Sequence, residues 1–345
     1  MNEQQQLIRD VIQRILKDHC TAQVVDAAES GEWPSNFWLA LANSGLTLAG
    51  ISEQAGGAGG EIADSLLVIR EAARFAAPVP LAEHFLAASL LEESGLIVTQ
   101  PIMTVAIGDF ELKSEGRLMG QSDQVAFARW ADELILVAVR NGREFVCRVN
   151  VAEIAVEPRI NLAGEPVDAI NVDVELTDGS FVEAPEGTSA RLLLMGAALR
   201  GLMMASALES ILEMSVRYAM DRSQFGRPIS KFQAIQHQLA ILADESAAST
   251  MAAHSIVAAF EKAVETDIAI GKARIGEAVS VCTDIAHQVH GAMGYTMEHS
   301  LNHRTRRLWS WRDDYGNERY WALKIGQKFL ETDADSLWSN ITKLG

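Results

Sequence analysis

The feature that most constrains this chain is a change of period. From residue 101 to about 185 apolar residues fall into short Val- and Ile-rich runs: "PIMTVAIGDFEL", "QVAFARWADELILVAVRNGREFVCRVN" and "AINVDVELTDG". The pairs Gly108-Asp109, Asn141-Gly142 and Asp178-Gly179 punctuate them as turn signals. This is strand and hairpin patterning. On both sides the apolar period is 3.6. Ile8, Val11, Ile12, Ile15 and Leu16 line one helix face, "SNFWLALANSGL" reads as a second helix with Ser35 as N-cap and Gly45 as its end, and Asp64 opens a third. Pro78 and Pro80 break that stretch, and another helix runs to about Ser94. From 187 onward "ARLLLMGAALRGLMMASALESILEMSVRYAMDR", "FQAIQHQLAILADESAASTMAAHSIVAAFEKA" and "TDIAIGKARIGEAVSVCTDIAHQVHG" are three long helices, and "SLNHRTRRLWSWRDD" opens a last one. The expected fold class is α+β, mostly α: an N-terminal helical domain (1–100), a short central β domain (101–186) and a C-terminal long-helix bundle (187–345).

Charge and cysteine usage narrow the function. A formal net charge of −17 argues against nucleic acid and against anionic membrane surfaces. The run "LLLMGAALRGLMMASALESIL" is interrupted by Arg200 and falls short of the roughly 18 apolar residues of a membrane span. The N-terminus has no basic n-region ahead of an apolar one, so no signal peptide is expected. Cys20, Cys147 and Cys282 share no short spacing, which suggests reduced thiols in a cytoplasmic protein and no zinc site.

Three clusters carry polar chemistry. "RSQFGRPISKFQAIQHQLA" (222–240) places Arg222 and Gln224 past a helix end, turns at Gly226 and Pro228, and offers Ser230 as a cap for the next helix. Arginine suits bidentate phosphate binding, and Gln224, Gln233 and Gln236 both donate and accept. Helix-end capping with solvated side chains explains the same residues. "HQVHGAMGYT" (287–296) follows a helix with two glycines three apart; His290 is a core histidine or a hydrogen-bond partner, and no second ligand at metal spacing accompanies it. "RTRRLWSWRDDYGNERYW" gathers arginines, two adjacent acids and Trp309, Trp311 and Trp321, which line a cavity or a subunit interface.

Taken together, "YAMDRSQFGRPISKFQAIQHQLA", "QVHGAMGYTMEHSLNHRTRR" and the N-terminal "GGAGG" resemble the acyl-CoA dehydrogenase family over the whole chain. The resemblance implies an FAD flavoprotein of lipid metabolism. It would oxidise an acyl-CoA thioester to the 2,3-enoyl-CoA by C2 proton removal and hydride transfer, and pass electrons to an electron-transfer flavoprotein. It also implies that the adenosine and pyrophosphate end of a neighbouring subunit's FAD is held by Arg222, Ser223, Gln224, Phe225, Phe232, Gln233, Gln288, Val289, His290, Gly291 and Ala292, with Asn317 added.

The sequence also departs from that family. Its Glu-Pro-x-x-Gly-Ser-Asp and Trp-Ile-(Thr/Ser)-Asn segments are missing; "GRLMGQSDQVAF" keeps only a Ser-Asp pair. The glutamate position before Gly-Thr falls on Tyr315, with Asp314 one residue earlier as the nearest candidate base; one residue along a helix turns a side chain by about 100°. The alternative base position on the first bundle helix falls on Gly196, and Ala292 replaces the second glycine of the loop. Elements that reach a neighbour's FAD are present; those that build this chain's own ring and base site are altered. The expectation is the less catalytic subunit of a heteromeric, α2β2 enzyme whose partner supplies the glutamate, with a bulky steroid or bile-acid side-chain CoA ester as substrate. The alternatives are a self-sufficient homo-oligomer using Asp314, and a non-enzymatic scaffold.

Overall fold

The computed structural model describes residues 2–98, 101–296, 299–331, 335, 336 and 338. The expected boundary at 100/101 falls on residues 99 and 100, outside the described residues, as do 297 and 298 in the second motif. By compactness the chain divides into two units, Met1–Ile69 with Ala77–Gly196, and Arg70–Ala76 with Ala197–Gly345.

The first unit opens with α1 (Glu3–His19), α2 (Ala22–Glu29) and α3 (Ser35–Asn43), then α4 (Ile62–Arg74, ending in the second unit) and α5 (Leu81–Glu93). Asn2 and Gln5 form a reciprocal capping box on α1, and Ile12, Ile15 and Leu16 are its buried stripe. The cap expected at Ser35 is corrected. Pro34 holds the N-cap position and Ser35 is already helical, because proline's fixed φ seats the chain at a helix start without a side-chain bond.

The strands are β1 (Met103–Ala106), β2 (Asp109–Leu112), β3 (Arg117–Ala126), β4 (Glu133–Arg140), β5 (Arg143–Asn150), β6 (Ala155–Glu157), β7 (Val167–Glu175) and β8 (Phe181–Glu183). They form one sheet in the order β6-β7-β3-β2-β4-β5-β8, with β1 also on β4. Of the three turn signals, Asn141-Gly142 is a hairpin: Arg140 pairs with Arg143, and φ values of 52° and 78° at the two loop residues are the left-handed pair that matches strand twist. The hairpin expectation fails at Gly108-Asp109, where β1 and β2 lie one after the other along β4, both parallel to it. It fails again at Asp178-Gly179, which leads β7 across to the far edge where β8 pairs with β5. Leu118, Val125, Leu134, Leu136, Cys147 and Val172 belong to the sheet's buried core.

The helical region continues with α6 (Thr188–Asp221), the two-residue strands β9 (Ser223–Gln224) and β10 (Arg227–Pro228), α7 (Gln233–Phe260), α8 (Glu265–His290), α9 (Leu301–Asp313) and α10 (Glu318–Leu330). Among the described residues α6 alone has the length and apolarity to cross a membrane, and 83% of its most apolar window is buried, as in a core helix. Gly271 of α8 admits Ile256 of α7, whose Cγ1 would lie 2.6 Å from a Cβ there, so the two helices meet at near-backbone distance.

Two expectations are corrected here. Ser230 does not cap α7: Phe232 is the N-cap residue, and the Ser230 carbonyl instead accepts a bond from Gln236 Nε2 (2.9 Å). The last helix is two helices, split at residues 314–317, where Tyr315 and Gly316 take φ of 55° and 92°. Two left-handed residues in succession cannot continue an α-helix.

Candidate functional site

The structure brings the first two motifs together in the second unit. Ala219 at the end of α6, Ile229 after β10 and Val289 near the end of α8 are buried in one apolar cluster, with Tyr218, Phe232, Ile235, Leu239 and Ile285 packed on it. That cluster sets the β9-β10 hairpin beside the loop that follows α8. The hairpin closes with Gln224 opposite Arg227, so Phe225 and Gly226 form its two-residue tip at φ 52° and 78°. A left-handed phenylalanine is unusual, and its ring is 91% exposed. It meets Phe232 edge-on at 6.1 Å, and Arg227 lies 4.3 Å above the Phe232 ring. Arg227 is a cation of this site that the sequence reading passed over; its place two residues after an exposed aromatic was the available signal.

The polar side chains are unspent. Arg222, Ser223, Gln224, Gln233 and Gln288 are exposed and make no side-chain hydrogen bond or ion pair among the described residues. Val289 differs: its side chain is 4% exposed, in the cluster, so only its backbone can meet a ligand. His290 is 2% exposed and stacks on Tyr218 at 4.4 Å. Its Nδ1 donates to the Ala286 carbonyl (2.7 Å), while Nε2 is buried with no partner among the described residues. Burial pushes this imidazole down to about 4, so it is neutral near pH 7. Gly291, at φ 58°, has open space where a Cβ would stand, and Ala292 is exposed, so its methyl closes nothing off.

Asp314, Tyr315 and Asn317 belong to a second cluster, at the α9-α10 break. Arg200 of α6, 5% exposed, donates from Nε to Asp314 Oδ2 at 2.8 Å and lies near the Trp311 and Tyr315 rings (6.0 and 5.7 Å). Lys272 of α8, 1% exposed, donates to the carbonyls of Trp311 (3.2 Å) and Arg312 (2.8 Å), the last turn of α9. A cation on those carbonyls also meets the negative end of the helix dipole. Trp321 Nε1 donates to the Tyr315 and Gly316 carbonyls, both 3.1 Å away, and Arg312 pairs with Glu318. Asn317 caps α10, its Oδ1 accepting from Tyr320 N (3.1 Å). Asp314 Oδ2, the Tyr315 and Gly316 carbonyls and Asn317 Oδ1 are thus all engaged within the chain. Of the three tryptophans, Trp311 and Trp321 are 2% and 1% exposed, and Trp309 donates to the Thr283 hydroxyl (3.2 Å).

Burial pushes the Lys272 ammonium down to about 8, against the opposing pull of Asp314. The folded chain therefore releases this proton near pH 8, and the unfolded chain holds it to 10.5. Stability from this group is complete above the upper value and is lost as pH falls through the lower one. Relative to Lys272→Met, the native chain is expected to gain roughly 2–3 kcal/mol between those limits, read from urea unfolding of both proteins across that range.

Comparison with known proteins agrees with the motifs. The model of the acyl-CoA dehydrogenase N-terminal domain matches residues 2–96, and that of the C-terminal domain matches 188–312. "Acyl-CoA dehydrogenase IpdE2" of Mycolicibacterium smegmatis is 29% identical over 87% of this chain and 91% of its own length. The ChsE4-ChsE5 complex from Mycobacterium tuberculosis contains a chain of similar fold, with a TM-score of 0.86 at 21% identity, covering 97% of this chain and 99% of that one. The Tcur3481-Tcur3483 steroid ACAD gives 0.85 at 21% identity, covering 95% and 98%.

Proposed function

The chain belongs to the acyl-CoA dehydrogenase family of FAD-dependent oxidoreductases, and from that premise we propose that it is the less catalytic subunit of a heteromeric member. In this reading it holds the adenosine and pyrophosphate half of an FAD site completed by a catalytic partner. The observation that carries the reading is an asymmetry between the two clusters. The hairpin and the loop after α8 present unspent donors outward around an exposed Phe225, whereas at the break Asp314 is held by Arg200 and the Tyr315 and Gly316 carbonyls by Trp321.

The donor set fits a dinucleotide. The Arg222 guanidinium neutralises pyrophosphate charge, and Gln224, Gln233 and Gln288 serve phosphate and ribose oxygens. Gly291 gives the backbone room to approach a ligand. FAD, when bound, supplies the hydride acceptor for oxidation of the thioester to the 2,3-enoyl-CoA. Tyr315 brings no carboxylate to the position of the family's glutamate. The base in this reading is the partner's. The resemblance to chains of a two-protein complex and of a steroid ACAD supports a mixed assembly and a bulky steroid-derived CoA ester. An electron-transfer flavoprotein is the proposed electron acceptor.

A self-sufficient enzyme using Asp314 is less well supported, since the Arg200 guanidinium at 2.8 Å favours the charged carboxylate and weakens it as a base. A scaffold has no use for five unspent donors. The test is the visible spectrum and native mass of this chain, alone and co-expressed with a dehydrogenase-like partner. The expected result is a colourless chain alone and a yellow mixed tetramer with one flavin per pair. A yellow homotetramer with one flavin per chain would overturn the proposal.

A further inference from the structure

A cleft of about 440 Å³ lies in the second unit between the last turns of α6, the residues Arg74 and Phe75, and the start of α9. The functional reading above makes no use of it. Its charged side chains are Arg74, Arg217, Arg304, Glu213 and Asp221, an excess of cations in a chain whose net charge is −17. Glu213 is held by Arg74 at 2.7 Å. Arg304 is fixed in the wall, donating to the Arg74 carbonyl (2.9 Å) and to the Ser210 hydroxyl (2.8 Å).

Asp221, exposed at the end of α6, adds a carboxylate acceptor to the wall, and the other polar groups left are donors. His299 Nδ1 accepts from Leu301 N at 3.2 Å, which leaves the proton of the neutral ring on Nε2. That Nε2–H, the Tyr218 hydroxyl, the Ser300 hydroxyl and the exposed Arg217 guanidinium all lie on the cleft, and none has a hydrogen-bond partner among the described residues. Behind the wall, His290 stacks on Tyr218 at 4.4 Å and meets His299 edge-on at 4.8 Å. It is 2% exposed, and its Nε2 has no partner among the described residues.

We propose that this cleft binds a phosphoryl oxyanion, held by Arg217, Tyr218, His299 and Ser300, with Met214 and Phe75 offering apolar surface to whatever body carries the phosphate. Four donors of different geometry, one of them a guanidinium, suit an anion with several acceptor oxygens better than they suit a neutral ligand. The source is a free phosphate ion or a small phosphomonoester, and the volume admits either.

The experiment is calorimetric titration of the full-length chain, in the assembly in which it purifies, with inorganic phosphate and with phenyl phosphate. The His299 ring resonances are followed in parallel. Binding of both probes with a shift of His299 is expected, and Arg217→Gln should weaken it by roughly tenfold or more. Ser300→Ala should weaken it by a smaller factor. Tighter binding of phenyl phosphate identifies a phosphomonoester as the source; equal affinity identifies the free ion. Neither substituted side chain makes a bond among the described residues, so misfolding does not obscure the result. No heat from either probe at millimolar concentration, or binding untouched by Arg217→Gln, would overturn the assignment.

Discussion

Replacing Arg222 with alanine is expected to strip flavin from the mixed assembly at concentrations where the native complex keeps it. The guanidinium is exposed and has no partner among the described residues, so its removal costs the fold nothing that the structure shows. What it removes is a charge-assisted contact to a phosphate, worth about 1.5–3 kcal/mol. That is a tenfold to roughly hundredfold weaker hold on the cofactor. The flavin-to-protein ratio after gel filtration measures it directly, with thermal unfolding as a control on the fold. Arg222→Lys should fall between, since an ammonium restores the charge but not the planar fork. Flavin content unchanged by the alanine variant would sink the claim that this hairpin grips the cofactor.

The second large effect is expected at Asp314. Asp314→Asn removes the charge of the carboxylate to which Arg200, 5% exposed, donates from Nε. Breaking a buried pair from one side is costly. Because the Asp314 side chain is itself 27% exposed, the expected loss is moderated to roughly 2–4 kcal/mol. The signature is a clear fall in unfolding midpoint with turnover per bound flavin unchanged in the mixed assembly. The opposite pattern, intact stability with turnover abolished, would identify Asp314 as the catalytic base and restore the self-sufficient reading.

Much of this was legible from residue order, and the exceptions have physical causes. The long helices announce themselves because Ala, Leu and Met repeat at 3.6 without breakers, and Asn141-Gly142 reads correctly because that pair suits the loop its strands require. Gly108-Asp109 misleads because a glycine permits a turn without dictating one, and here long-range pairing to β4 decides. The split between α9 and α10 was written in Gly316 and the capping Asn317, but the surrounding tryptophans and arginines look helical on their own. At the site, Arg222 and the glutamines stand out because they gather at one helix junction of a chain that is 48% hydrophobic. Lys272 does not stand out. A lysine among alanines and glycines reads as a surface residue, and only the arrival of the α9 carbonyls, some forty positions further along, gives it a buried role.

The seven residues Arg70–Ala76 belong to the second unit although the chain on either side of them belongs to the first. Arg74 pairs there with Glu209 and Glu213, and its carbonyl accepts from Arg304. The second unit is therefore not a contiguous stretch of sequence. A fragment beginning at Ala197 would leave two carboxylates and a guanidinium without the residue that joins them. In evolutionary terms the bundle cannot be shuffled as a cassette cut at that point: a recombination event that moved it alone would leave its keystone behind.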